Sequence, residues 1–157
     1  MVDPDTMREP MDVAPATGSA DDELRAVALV YAATVALASV VSVRDDVPGE
    51  PFGITIPLSV PTGLLVAWGS GIAAPWPMPA AVVIAAFRAR RGGGPAPARI
   101  CAGIALAGIA GQLIEPIVRR PKTPAVRVAL TANVAVSTIL AATALSRLAR
   151  RRSAGQH

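Results

Sequence analysis

Aromatic residues are scarce in this chain of 157 residues: two Phe, one Tyr and two Trp make up 3% of it, although 52% of the residues are hydrophobic. A soluble domain with so much apolar sequence normally fills its core with aromatic rings. Here the apolar residues are mostly Ala, Val, Ile and Leu in long blocks, from which the charged residues, 17% of the chain, are almost excluded. This distribution predicts helices that contact lipid as well as one another.

Cysteine and histidine are nearly absent as well, with one residue of each type, Cys101 and His157. A single cysteine excludes an internal disulfide, and neither residue has companions that would complete a metal site. The motifs of zinc peptidases (HExxH), serine hydrolases (GxSxG) and phosphate-binding loops are also missing, and so are paired carboxylates within an apolar block. We therefore expect no metal, no cofactor and no enzymatic activity.

Four apolar blocks predict an all-α fold, an integral membrane bundle of about four transmembrane helices. A helix of 20 residues is about 30 Å long, which matches the hydrocarbon thickness of a bilayer. The second block contains the sequence PWPMP at 75–79. Proline removes an amide donor and clashes with the preceding turn, so this span should be kinked or broken, with a helical hairpin as the alternative. The expected spans are 24–43, 64–87, 100–118 and 125–147.

The two ends of the chain differ from the apolar blocks. Residues 1–23 contain seven acidic residues and no apolar periodicity, and we expect them to form a disordered tail. Residues 148–157 form a basic tail behind the four-helix transmembrane domain, which we place at 24–147. The basic residues outside the N-terminal tail lie at the ends of apolar blocks rather than along one soluble face. This placement argues against nucleic acid as a partner in spite of a pI near 10.5.

The positions of Lys and Arg predict the orientation, because cytoplasmic loops are enriched in them. With four spans, the 88–99 connector and the C-terminal tail share one face, and together with Arg147 they contribute eight basic residues. The 119–127 connector on the opposite face contributes four. The excess predicts a multi-pass protein of the plasma membrane whose N- and C-termini are both cytoplasmic.

Small residues recur every four positions in the third span, at Gly103, Ala107 and Gly111. Residues at this spacing share one helix face, and small residues there allow a second helix backbone to approach closely in lipid. This small-residue stripe is the expected helix-packing surface. The expected partners are the lipid bilayer and, beyond it, a second copy of the chain or another membrane protein.

Glu115 is the only acidic residue inside a predicted span, which makes it the first functional candidate. Gln112 is close to it in sequence, and Asn133 and Ser137 on the fourth span would complete an intramembrane polar site with it. Alternatively, Glu115 lies at the membrane interface, because it is about 5 Å from the end of its span and close to the basic residues at 119–120. The sequence favours the interfacial position.

The small-residue stripe and the missing catalytic motifs favour a small, non-enzymatic accessory or assembly protein of the membrane. The alternative is a small transporter or channel subunit that uses Glu115 as an intramembrane carboxylate, since interrupted helices often mark transport sites. An enzyme acting on lipid or isoprenoid substrates ranks third. The acids available to such an enzyme, Asp45, Asp46 and Glu50, have the pattern of a solvated turn.

Overall fold

A computed structural model describes residues 17–155 of the chain, apart from residues 55 and 67. The described part is all-helical and contains no strand, as the sequence predicts. Most of the expected acidic tail, residues 1–16, lies outside the described residues, as do residues 156–157 at the other terminus. The helices are α1 (Thr17–Arg44), α2 (Val60–Val66), α3 (Pro77–Arg90), α4 (Ala96–Leu113) and α5 (Pro124–Ala154), with short 3-10 turns at Pro51–Gly53 and Pro116–Val118.

Three of these helices are long and apolar enough to cross a membrane: α1 from Ala20, α4 and α5. The expected count of about four spans is not confirmed, because α3 has 14 residues and is therefore about 21 Å long, short of the roughly 30 Å of a bilayer core. Only about a third of the most apolar part of each long helix is buried within the chain. Leu37, Val40 and Val128 are among the large apolar side chains left exposed. Such helices are compatible with a membrane protein.

The region 64–87 is broken into two helices rather than kinked within one. α2 ends at Val66, α3 begins at Pro77, and the chain between them, residues 68–76, is irregular. The amide of Trp76 donates to the carbonyl of Leu64 at 2.8 Å, so this irregular segment turns back alongside α2. Pro77 and Pro79 lie in the first turn of α3, where a missing amide proton costs no helical hydrogen bond.

The other helix bounds also differ from expectation. α1 begins at Thr17, so residues 17–23 are helical and not part of a disordered tail. α4 starts at Ala96 and ends at Leu113, before Glu115, because the chain leaves the helix ahead of Pro116. α5 continues to Ala154 and therefore includes most of the expected basic tail at 148–157.

The long helices and α3 form one bundle, in which α5 packs against α1 and α4, and α3 packs against the same two helices. Tyr31, Val82, Cys101 and Leu140, one from each of these helices, belong to the main buried cluster. Alanines such as Ala105 separate the larger side chains and allow the helices to approach closely. The bundle is therefore held by small aliphatic contacts, which explains how it forms with so few aromatic residues.

One end of the bundle is held together by a buried arginine. Arg147 of α5 is 2% exposed and pairs with the carboxylate of Asp21 on α1. Its guanidinium also donates to the carbonyl oxygens of Gly94 at 3.2 Å and Ala89 at 3.4 Å. Asp22 lies 3.7 Å from Arg90 at the same level. We call this region, where the N-terminal end of α1 meets the C-terminal end of α5, the basic end.

Candidate functional site: a polar cavity between the helices

A cavity of about 220 Å³ opens towards the opposite end of the bundle, which we call the cavity end. Its wall is built from α1, the irregular segment 68–76, the start of α3, the C-terminal end of α4 and the N-terminal half of α5. Tyr31 is the wall residue of α1 that lies farthest from the cavity end. It is 13 residues before the end of α1, which corresponds to about 20 Å along the helix. Trp68 also lines the cavity and is half-exposed. The cavity therefore extends from an open rim towards the middle of the bundle.

The irregular segment forms part of this wall because side chains from two long helices satisfy its polar groups. Ser42 donates to the carbonyl of Ala38, and its hydroxyl lies 2.7 Å from the hydroxyl of Ser70, which therefore donates to it. Asn133 donates its amide to the carbonyl of Ile72 at 2.6 Å. Within a membrane, backbone without helical hydrogen bonds is stable only where the protein or a cavity supplies partners. These contacts provide such partners.

Three buried polar atoms at the cavity have no hydrogen-bond partner within the described part of the chain. They are the hydroxyl of Tyr31, Oε1 of Gln112 and Oδ1 of Asn133, and each residue is at most 9% exposed. The bond from Asn133 to Ile72 fixes the orientation of that amide, so its oxygen, and not its nitrogen, is the free group. A buried polar group without a partner is costly, and native proteins contain few of them. Three residues at one cavity therefore carry hydrogen-bonding capacity that the described part of the chain leaves unused.

Glu115 lies at the rim of the same cavity and is 7% exposed. Its Oε2 accepts a hydrogen bond of 2.8 Å from the backbone amide of Glu50. The amide of Phe52 bonds to the carbonyl of Ile114 at 3.0 Å, so the turn at 50–52 holds the end of α4 in place. Arg119 and Arg120, although close to Glu115 in sequence, do not pair with it: no ion pair within the described ranges includes Glu115.

The environment of Glu115 disfavours its charged form. Burial raises the pKa of this carboxyl above its ordinary value, and the nearby charge of Glu50 acts in the same direction. The hydrogen bond from the Glu50 amide partly opposes this effect. A carboxyl in such surroundings binds a proton or a cation more readily than an exposed one does.

All four residues of the expected polar site, Gln112, Glu115, Asn133 and Ser137, line this one cavity. Glu115 lies two residues beyond the end of α4, as the interfacial alternative requires, yet it is buried and faces the polar site. Sequence reasoning assigned no role to Tyr31, which lies deep in the same wall. The available signal was that Tyr31 is the only tyrosine of the chain and lies in the middle of an apolar block.

The small-residue stripe of α4 does not mediate contacts between helices of this chain. Gly103 and Ala107 are exposed, and a Cβ atom built on Gly103 or Gly111 would meet nothing within 4 Å. The buried face of α4 contains Cys101, Ala102 and Ala105 instead. Ala107 and Gly111 line the cavity, whereas Gly103 does not. Packing of the stripe against another chain stays a prediction.

The site has one carboxyl group, two amides and several hydroxyl groups. The residues that the structure describes include no cluster of three or more His, Cys, Asp or Glu that could hold a metal ion. The cavity thus offers hydrogen bonding and a single ionisable acid, without the paired acids or histidines that hydrolytic chemistry uses. This arrangement is suited to binding.

The chain matches no protein-family model, no curated protein and no solved structure.

Proposed function

We propose that this protein is a multi-pass membrane protein that binds a small polar solute in the cavity, as a transporter or channel subunit does, with Glu115 as its essential acidic group. The observation that carries the proposal is that three residues with unpartnered buried polar atoms, Tyr31, Gln112 and Asn133, line one cavity together with a buried carboxyl. Polar residues inside membrane proteins are rare and usually mark a pathway or a ligand site. The volume of about 220 Å³ is below the range of drug-sized pockets, so the solute is small.

The broken region 64–87 supports this function. Transporters commonly bind their substrates where a helix is interrupted, because the unwound backbone lines the site. Here the irregular segment contributes Trp68 and Ser70 to the wall, and α3 contributes Met78.

Thiol labelling in lipid nanodiscs tests whether a polar solute enters the cavity. Cys101 is replaced by Ala, and Ser137→Cys places one thiol at the cavity wall. A water-soluble methanethiosulfonate reagent should modify this thiol, because Ser137 lines the cavity. The matched control is Ala141→Cys, one turn further along α5, which is 5% exposed and does not line the cavity. Equal resistance of both thiols would refute the proposal.

Filling the cavity provides a second test on the same background. Gly111→Leu should slow the labelling of the thiol at position 137, because Gly111 lines the cavity and has open space beside it. Gly103→Leu is the control, since Gly103 lies on the same helix outside the cavity. Similar labelling rates in the two variants would show that the reagent does not reach the thiol through the cavity.

A non-enzymatic accessory or assembly role is the second candidate, supported by the exposure of Gly103 and Ala107 on α4. If this face binds a second copy or another membrane protein, Gly103→Leu should shift the oligomeric state in detergent while Glu115→Gln leaves it unchanged. An unchanged oligomeric state in Gly103→Leu would argue against this face as an interface.

The orientation forms part of the proposal. The N-terminal end of α1 and the C-terminal end of α5 meet at the basic end, through Asp21 and Arg147. The excess of basic residues flanking this end supports a cytoplasmic position for both termini in the plasma membrane. The cavity then opens to the outside. Protease protection of tagged termini in sealed cells measures this orientation directly.

A further inference from the structure

Two of the three unpartnered polar atoms at the cavity are acceptors, and the third, the hydroxyl of Tyr31, can donate or accept. Oδ1 of Asn133 is fixed as a free acceptor by the bond from its nitrogen to Ile72, and Oε1 of Gln112 is a second free acceptor. The carboxyl of Glu115 accepts one hydrogen bond from the Glu50 amide, and a carboxylate has room for several more. A ligand that satisfies these atoms must therefore be rich in hydrogen-bond donors.

The charge of the cavity selects the sign of that ligand. Glu115 is the only acidic residue in the wall, and none of the wall residues is Lys, Arg or His. A buried carboxylate is stable when a cation pairs with it, whereas an anionic ligand would be repelled by its charge. The raised pKa of Glu115 agrees with this view, because burial leaves its charged form uncompensated in the free protein.

The oxygen ligands in the wall favour an organic cation over a divalent metal ion. Ca²⁺ takes six to eight oxygen ligands, commonly with several carboxylates, and Mg²⁺ requires an octahedral shell. One carboxylate with two amide oxygens falls short of either, and the part of the chain that the structure describes has no cluster of metal-ligating residues. The remaining wall is largely apolar, with Val35, Ala74 and Met78 among its members. This wall complements a hydrocarbon body of a few carbon atoms.

Resting on the function proposed above, we infer that the cavity binds a small primary amine in its ammonium form, with its N–H groups on Glu115, Gln112 and Asn133. The hydroxyl of Tyr31 lies deeper in the cavity. A Cβ atom built on Gly108 would be 3.9 Å from the oxygen of this hydroxyl. The indole of Trp68 also lines the cavity, and aromatic rings attract cations.

Charge-selective labelling of the thiol at position 137 tests this inference in nanodiscs. Three methanethiosulfonate reagents of similar size are compared: the aminoethyl, trimethylammonioethyl and sulfonatoethyl forms, each normalised to its rate with free cysteine. The ammonium reagent should react on the order of tenfold faster than the sulfonate, since a single buried charge concentrates cations locally. The normalised rate of the ammonium reagent should also exceed that of the trimethylammonium reagent, which has no N–H groups to donate.

Variants at one position separate charge from fold. Glu115→Gln should reduce the ammonium-to-sulfonate ratio to about that of free cysteine, whereas Glu115→Asp, which keeps the charge, should preserve the preference. Asp46→Asn is the control for surface potential, because Asp46 is an exposed acid at the same end and does not line the cavity. Propylammonium should protect the thiol, and propionate should not.

The outcomes distinguish the inference from the function on which it rests. Rapid labelling by all three reagents without a preference for the ammonium form would overturn the amine assignment while leaving a solute-accessible cavity. A faster sulfonate reaction would assign the opposite ligand charge. Failure of every reagent to modify the thiol would overturn both proposals, and retention of the preference in Glu115→Gln would remove Glu115 from the site.

Discussion

Arg147 and Asn133 are both buried polar side chains of α5, 14 residues or about 21 Å apart along the helix, but their surroundings differ. At the basic end, the guanidinium of Arg147 finds a carboxylate and two carbonyl oxygens. At the cavity end, Oδ1 of Asn133 finds no partner within the described part of the chain, and the same holds for two neighbouring polar atoms. One end is closed by its own contacts, and the other leaves hydrogen-bonding capacity unused.

This difference separates a structural role from a functional one. Buried charges are stable when paired and hydrogen-bonded, and such pairs fix the relative positions of the elements they join. Arg147 joins α1, the connector after α3 and α5, which explains the ordering of the basic end. At the cavity end, Thr123 donates to Asp45 and the irregular backbone is held by Ser42 and Asn133, but no buried arginine among the described residues joins the helices. The buried ion pair and the unpartnered polar atoms thus lie at opposite ends of the same bundle.

The largest loss in the free energy of unfolding should come from Arg147→Met at the basic end. The substitution leaves Asp21 partly buried without its partner, and breaking a buried ion pair from one side costs about 3–5 kcal/mol. Arg150→Met is the control, because its pair with Glu23 is exposed and 4.0 Å long, which is worth less than about 1 kcal/mol. Unfolding of both variants in mixed micelles measures the difference. Equal losses would mean that the basic end is not locked by Arg147.

A smaller loss of stability is expected when a glycine of positive φ is replaced by Ala at either end of the bundle. Gly69 has a φ of +79°, and a Cβ there would lie 2.3 Å from the carbonyl oxygen of Ala73. Gly69→Ala should therefore destabilise the protein by about 2–3 kcal/mol and disturb the cavity wall. Gly92 at the basic end has a φ of +82° but nothing within 4 Å of a Cβ, so Gly92→Ala should cost about 1 kcal/mol. Labelling of the thiol at position 137 should change only in Gly69→Ala.

The sequence predicts the helical class correctly, and its apolar blocks agree with the three helices that are long and apolar enough to cross a membrane. It predicts the second block poorly. Proline marks the vicinity of the break, but the irregular segment 68–76 also depends on Ser42 and Asn133, which come from distant parts of the chain. No local pattern contains those partnerships. The N-terminal start of α1 is missed for a related reason, since Asp21 is paired by Arg147, 126 residues away.

For the site, sequence reasoning selects residues by type and depth, which brings Gln112, Glu115, Asn133 and Ser137 together in the hypothesis. It cannot decide which helix face points into a cavity, and the small-residue stripe illustrates the limit. Gly103 and Gly111 share one spacing, yet only Gly111 lines the cavity. The position of Glu115 is equally hard to predict from sequence. The residue is close to the helix end, yet it is buried and bonded to the turn at 50–52. Both outcomes depend on tertiary contacts.

The smallest effect is expected on the pH dependence of stability, when two acids at the cavity end, Glu115 and Asp45, are replaced one at a time. Glu115 has a raised pKa because of burial, so its contribution is fully present below the ordinary pKa of glutamate and is lost as the pH rises through the folded-state value. Asp45 has a lowered pKa, first because of its hydrogen bond with Arg44 and then through Thr123, so its contribution is present at neutral pH and lost on acidification. Glu115→Gln should therefore flatten the decline in stability above about pH 4.5, by at most about 1.4 kcal/mol per pH unit. Asp45→Asn should flatten the acid side instead. Parallel unfolding titrations from pH 3 to 8 measure both slopes, and a change of the same sign in the two variants would contradict the burial of Glu115 as the source of its shift.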